Sequence, residues 1–321
     1  MQTEEKIQII SALETYMELH GISQNEIAKK ADVNASYLVN MRKGVFASNN
    51  NVEFADKYFQ RLANLIGFQL SNTTIGTKLT RQFNFILSNL VDAREHTETT
   101  VLVGETGAGK TYTIDVFKTQ FTDIFSVKIG SSDTLNDLLN KIGTELKLDF
   151  LRALKQSRCS KSTKIGYICR KLAGLRDDGR KPILIFDEAE YMKHAALCAY
   201  KEIYDVLLDV CPTVLIGTSE LTANIDKLIL KNKPGIAQLF RRIKFKIKNI
   251  PPINSKFELF LDGIEPELQK WLITNCNNYG ELTDVLKPCI RESQRLDRAL
   301  SLRLVCLVLN LDYETERNIR R

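Results

Sequence analysis

Gly104-Glu105-Thr106-Gly107-Ala108-Gly109-Lys110-Thr111 follows the apolar run Val101-Leu102-Val103 and has the spacing Gly-x-x-x-x-Gly-Lys-Thr of a phosphate-binding loop. Such a loop turns successive backbone N–H groups inward around phosphate oxygens, in conformations that a Cβ obstructs, which is why it needs glycine. In that chemistry Lys110 reaches the β- and γ-phosphates of a nucleoside triphosphate and the Thr111 hydroxyl ligates Mg²⁺, with the binding set running from Gly104 through Tyr112. A second run, Ile183-Leu184-Ile185-Phe186-Asp187-Glu188, is apolar and ends in two acids. A buried strand of that form delivers Asp187 to the magnesium shell and leaves Glu188 to polarise an attacking water. Thr213-Val214-Leu215-Ile216-Gly217-Thr218 ends in a polar group, so Thr218 or Ser219 is a candidate to sense the γ-phosphate; plain helix capping is the alternative. Phosphoryl transfer also needs positive charge as the γ-phosphate leaves. Arg241 and Arg242, in Leu239-Phe240-Arg241-Arg242-Ile243, and Arg295, in Glu292-Ser293-Gln294-Arg295-Leu296, are the candidates to supply it.

These groups come together only if apolar strands lie side by side with their ends aligned. From about residue 78 the chain alternates helical patterns with short apolar runs, the sign of a parallel α/β sheet with helices on both faces. Strands are expected at 100–103, 125–129, 182–186, 213–217 and 244–248, the last because Arg241-Arg242-Ile243-Lys244-Phe245-Lys246-Ile247-Lys248 alternates basic and apolar residues. After Ile250-Pro251-Pro252, residues 255–320 read as helices interrupted near Asn277-Asn278-Tyr279-Gly280.

The N-terminal stretch is different. Residues 5–20 have helical spacing, and Ile22 to Asn40 has the pattern of a helix-turn-helix. Ser23 with Glu26 forms a capping box, Ala28 is small where two helices cross, Asn34 caps the second helix, and Leu38 with Met41 faces inward. Asp32 stands where a turn glycine is common in such motifs. In that arrangement Ala35, Ser36, Tyr37 and Asn40 face a DNA groove while Arg42 and Lys43 touch phosphate; a small helical protein-interaction domain is the other reading. The expected organisation is a helical domain over 1–70, a linker over 71–80 (Ser71 to Thr77 being polar), an α/β core over 81–252 and a helical lid over 253–321.

Composition sets bounds. No run of 18 apolar residues occurs, and Met1-Gln2-Thr3-Glu4-Glu5-Lys6 is no basic leader, so a cytoplasmic location is expected. Seven cysteines, an odd number without a Cys-x-x-Cys pair, and three scattered histidines argue for reduced thiols and against a zinc module. The net charge of +6 is unevenly spread. Arg152, Lys155, Arg158, Lys161, Lys164, Arg170, Lys171 and Arg176 lie between Phe150 and Arg176 with no acid among them. With the 241–248 cluster this suggests a polyanionic partner, although either cluster alone reads equally as a solvated face.

The order of phosphate-binding loop, Asp-Glu strand end, polar strand end, arginine pair and helical lid resembles the AAA+ ATPases over residues 78–321. Together with the N-terminal helices, the whole chain resembles the phage Mu B family of transposition proteins, with TnsC-type and IstB-type transposon ATPases as looser relatives. The resemblance implies ATP and Mg²⁺ as cofactors, Thr218 at the sensor I position (where asparagine is more usual), Arg242 or its neighbour Arg241 as an arginine finger, and Arg295 as sensor II. It places the basic stretch, with Arg152, Lys155, Arg158, Lys161 and Lys164, toward DNA. It implies ATP held between subunits of a helical filament or ring on double-stranded DNA. In that setting the protein marks a target, delivers it to a DDE transposase and stimulates that enzyme. A helicase loader, an ATP-dependent helix-turn-helix transcription regulator and a nucleotide-controlled scaffold with negligible turnover are the alternatives.

Overall fold

Runs of residues apolar on both sides must be covered on both sides, and that requirement shapes the larger part of the chain. In the computed structural model, which describes residues 3–20, 22–47, 53–66, 78–150, 159–254 and 256–318, the chain separates into two compact units, 1–74 and 75–321. Among the described residues no helix is long and apolar enough to cross a membrane, and none of the seven cysteines forms a disulfide.

The second unit is built on five parallel strands, β1 (Thr100–Val103), β2 (Ile124–Lys128), β3 (Ile183–Asp187), β4 (Thr213–Gly217) and β5 (Ile247–Asn249), in the order β2-β3-β4-β1-β5. Alternate residues of each strand serve opposite faces. Leu184, Phe186 and Leu215 join a core with α7 (Leu135–Glu145), α8 (Lys161–Asp177), α9 (His194–Leu207), α10 (Ser219–Leu230) and α11 (Ile236–Ile243). Ile183, Ile185, Val214 and Ile216 meet α5 (Arg81–His96) and α6 (Lys110–Gln120) on the other face. The β1–α6–β2 crossover therefore runs over one face and the later crossovers over the other, which opens a crevice beyond the strand ends where β1 meets β4. A helical lid follows: α12 (Glu258–Leu261), α13 (Pro266–Asn275), α14 (Tyr279–Leu296), α15 (Leu302–Leu309) and α16 (Tyr313–Asn318), around Leu268, Leu272, Leu282, Cys289 and Val305.

One expected strand is displaced. Residues 241–243 end helix α11, 244–246 form a short 3-10 helix, and pairing with β1 begins only at Ile247. Gly235 enters α11 in the left-handed conformation (φ +83°), and Ile236, Leu239 and Ile243, spaced three and four apart, are all buried. The buried stripe has helical period, and it outweighs the alternation of bases and apolar residues that follows.

The first unit holds α1 (Thr3–His20), α2 (Gln24–Lys30), α3 (Ala35–Arg42) and α4 (Asp56–Leu65) around Ile9, Leu13, Ile27, Leu38, Met41, Phe59 and Leu62, all fully buried. Ser23 and Glu26 cap α2 reciprocally, and the Asn34 side chain accepts from the Ser36 N–H at the start of α3. In the turn between them Asp32 is left-handed (φ +52°), which explains why glycine is the usual residue at such a position. Here Arg61 compensates, donating from Nη1 to the Asp32 carbonyl at 2.7 Å and standing 2.8 Å from its carboxylate.

Candidate nucleotide site

β1 ends at Val103, and the loop beyond it uses its glycines for separate reasons. Gly107 (φ +76°) and Gly109 (φ +80°) are left-handed, and Gly109 leads into α6. Gly104 has ordinary dihedrals but no room: a Cβ there would stand 2.7 Å from Cβ of Ile250, while its N–H donates to the Gly217 carbonyl at 3.0 Å. The loop is thereby stitched to the end of β4.

Lys110 Nζ donates to the carbonyls of Gly104 (3.0 Å) and Glu105 (2.7 Å). Next to it the Thr111 hydroxyl donates to Asp187 Oδ2 at 2.6 Å, and the Glu188 N–H donates to Asp187 Oδ1 at 3.0 Å. Glu188 is left-handed (φ +54°), a strained setting for a side chain with a long stem, and its carboxylate pairs with Lys128 Nζ at 3.0 Å. Register explains that pairing, since Lys128 at the end of β2 lies opposite Asp187 at the end of β3. Thr218 caps α10, its hydroxyl accepting from the Glu220 N–H at 3.3 Å. Its own N–H donates to Glu190 Oε2 at 3.3 Å. Tyr112 is exposed, with its ring tilted against Phe83 at 6.4 Å.

Burial governs the charges here. It pushes the Lys110 ammonium below the usual lysine range, opposed by Glu190 first and then by Asp187, Glu188 and Glu105. It pushes the Asp187 carboxyl up, against the Thr111 hydroxyl and the Glu188 N–H, which favour the ionised form. The Glu188 carboxylate holds Lys128 above its usual value. Among the described residues no three His, Cys, Asp or Glu side chains converge to hold a metal by themselves. A hydroxyl beside one carboxylate suits magnesium, which keeps several waters and takes its remaining ligands from substrate phosphates. Thr111 and Asp187 fit that ion, and the Lys110 ammonium fits the phosphates that would complete its shell.

The lid meets the loop directly. A Cβ on Gly107 would collide with the carboxamide of Asn278, the residue that caps α14 by accepting from the Glu281 N–H. The adjacent Tyr279 hydroxyl donates to Gln82 Oε1 at 2.9 Å, and Gln82 Nε2 donates to the carbonyls of Pro251 and Pro252, where the sheet core passes into the C-terminal helices. Arg295 is not brought to this place. It lies in the last turn of α14, about 25 Å along the axis from Asn278 at 1.5 Å per residue, and its guanidinium pairs with Glu292.

The two finger candidates differ. Arg242 is held within the chain, its Nε 2.5 Å and Nη2 3.1 Å from the Asp205 carboxylate. Arg241 is exposed, and its guanidinium has no hydrogen-bond or ion-pair partner among the described residues. Of the basic stretch, Arg152, Lys155 and Arg158 lie outside the described residues, and Lys161 is exposed at the start of α8. Lys164 is turned away from any external polyanion. It is buried with Ile165 and Ile168, and its ammonium donates to Asn136 and Asn140 at 2.7 Å each. In the first unit Ser36 is exposed, with its hydroxyl on Asn34, and Asn40 is half-buried. Tyr37 does not project freely, because its ring stacks on Phe54 at 4.5 Å. Arg42 is engaged by Glu14 and Gln24 rather than left for phosphate. Sequence reasoning missed Lys128, Glu190, Gln82, Asn278 and Tyr279. Only Glu190 carried a local signal, as the third acid of Asp187-Glu188-Ala189-Glu190.

Residues 93–225 match the AAA domain family. The structure is similar to that of Cdc6p from Pyrobaculum aerophilum, with a TM-score of 0.53 and 16% identity over 77% of this chain and 70% of that one. It is also similar to the Aeropyrum pernix Orc1 protein in complex with DNA, with a TM-score of 0.52 and 13% identity over 71% of this chain and 64% of that one. No curated protein matches the sequence. The second unit thus has the AAA+ P-loop NTPase fold, a five-stranded parallel sheet with a C-terminal helical region.

Proposed function

We propose that the protein is an ATPase that binds duplex DNA, assembles on it as a filament or ring when ATP is bound, and presents the DNA to a DDE transposase. The observation that carries the ATPase reading is the hydroxyl of Thr111 on Asp187, 2.6 Å apart, with Lys110 and Glu188 at the same strand ends. In this reading Lys110 binds the β- and γ-phosphates, and Thr111 and Asp187 hold Mg²⁺, whose chemistry is to neutralise charge on the phosphate oxygens. Glu188 orients the attacking water and Thr218 senses the γ-phosphate. The finger comes from a neighbouring copy. Arg241 is the freer of the two arginines, whereas Arg242 has first to leave Asp205. Bound ATP then favours the assembled state and hydrolysis loosens it, which is linkage between nucleotide and oligomer.

DNA as partner is supported by the excess of positive charge in the second unit and by the solved relative that holds DNA. The α2–turn–α3 pair is read as a helix-turn-helix that localises the protein or adds DNA contacts through Ser36 and Asn40. The transposase as client rests on the resemblance of the whole chain, in its order of motifs, to the Mu B family. Lys110→Ala is expected to abolish ATP-dependent DNA binding. Glu188→Gln is expected to keep binding, lower turnover at least about 100-fold and lengthen the DNA-bound assemblies that electron microscopy shows with ATP itself. Normal turnover in Glu188→Gln removes the catalytic assignment. Isolated monomers on DNA remove the assembly, and capture of a replicative helicase instead of a transposase replaces the client.

A further inference from the structure

The loop, the Asp-Glu pair and Thr218 leave one buried acid unused. Glu190 belongs to the 3-10 turn Ala189–Tyr191 just past β3 and is 9% exposed. Its side chain lies back across the end of β4, where a Cβ on Gly217 would fall 2.5 Å from Oε2. The same oxygen accepts from the Thr218 N–H at 3.3 Å, and the Glu190 carbonyl accepts from Asn224 Nδ2 at 3.0 Å. Gly217 in turn holds the loop, its carbonyl accepting from the Gly104 N–H, and the Gly104 carbonyl accepts from Lys110 Nζ. Glu190 therefore stands at the strand end to which the phosphate-binding lysine is tied. No other carboxylate acts on the Lys110 ammonium more strongly.

We propose that Glu190 is an internal counter-anion, a positioning residue whose carboxylate holds the Thr218 end of β4 against the Lys110 loop and competes there with the terminal phosphate of the nucleotide. This rests on the reading that the loop binds ATP. A buried negative charge at that point opposes a polyphosphate through Coulomb repulsion in a medium that screens poorly. It opposes a triphosphate more than a diphosphate, because the triphosphate would bring one more charged group to the same loop. Gly217 is required for the arrangement, since any side chain there displaces the carboxylate.

The test is titration of the full-length protein with fluorescent ATP and ADP analogues, comparing the unchanged chain with Glu190→Gln, Gly217→Ala and Lys110→Ala. Glutamine keeps the shape and an acceptor for the Thr218 N–H while removing the charge. Glu190→Gln is expected to bind the ATP analogue about five- to tenfold more tightly, with a smaller gain for ADP. Gly217→Ala, which shifts the carboxylate without removing it, is expected to move the ATP-to-ADP ratio in the same direction and serves if the glutamine variant fails to fold. A merely structural role would weaken both nucleotides alike. Unchanged or weaker ATP binding by a folded variant, with no change in that ratio, overturns the proposal. If the unchanged protein binds ATP and Lys110→Ala does not, that failure belongs to Glu190 alone. If neither binds, the reading of the loop has failed instead.

Discussion

Asp187 shows how a single carboxylate costs stability in exchange for a site. Burial raises its pKa in the fold above the ordinary value of 3.8, so the native state holds its proton more tightly than the unfolded chain does. Between those two values stability falls as pH rises, and at neutral pH the whole penalty is present. Asp187→Asn removes the charge and keeps both contacts, because the Thr111 hydroxyl can rotate to accept from the new amide. We expect the Asp187→Asn variant to melt at a higher temperature than the unchanged protein at pH 7. The difference should shrink toward zero below the ordinary aspartate value, as thermal melts across pH will show. A lower melting temperature at pH 7 would mean that the hydrogen bonds, not the burial, dominate. The same residue scale explains Lys164, whose phase in α8 puts it on the stripe with Ile168 and Leu172, where two asparagines of α7 take up its ammonium.

At the level of elements, the turn between α2 and α3 is the clearest case of a sequence departure that the fold absorbs. Asp32 holds a left-handed conformation that a β-branched residue resists. Asp32→Val should cost about 1–2 kcal/mol in denaturant unfolding, whereas Asp32→Gly should stay within about 0.5 kcal/mol, since the strain it relieves offsets an exposed ion pair. Equal losses for the two would show that Arg61, not the dihedral, is what matters there. The strand ends that carry Lys110, Asp187 and Thr218 are legible in the sequence, because a short apolar run followed by glycine or acid has few other structures available to it. Residues 244–246 mislead because their alternation fits a strand, yet they continue from the helix that buries Ile236, Leu239 and Ile243, and Phe245 is exposed; the strand holds only from Ile247. Lys128, Gln82 and Tyr279 carry no signal in the sequence. Their roles come from strand register and lid packing, which join parts of the chain that sequence spacing does not relate.

For the molecule as a whole, charge is divided between the units. Residues 1–74 carry seven basic and eight acidic side chains, so the net positive charge resides entirely in residues 75–321. If duplex DNA is the partner, the salt dependence of binding should follow the second unit. Reversing Lys161 and Lys171, both exposed on α8, should flatten the slope of log affinity against log salt by roughly 2, while reversing Lys29 and Lys30 on α2 should leave it unchanged. The opposite result would make the first unit the main contact with the phosphate backbone. Helix α14 adds a mechanical consequence. One end rests on Gly107 through Asn278, and the other, with the exposed Arg295, lies about 25 Å along the helix. A tilt of about 10° about that contact would carry the far end through roughly 4 Å. A displacement at the phosphate loop too small to notice locally becomes, at the rim of the lid, a step as wide as a side chain. If the lid turns as one body on that contact, it works as a lever whose short arm is a single asparagine.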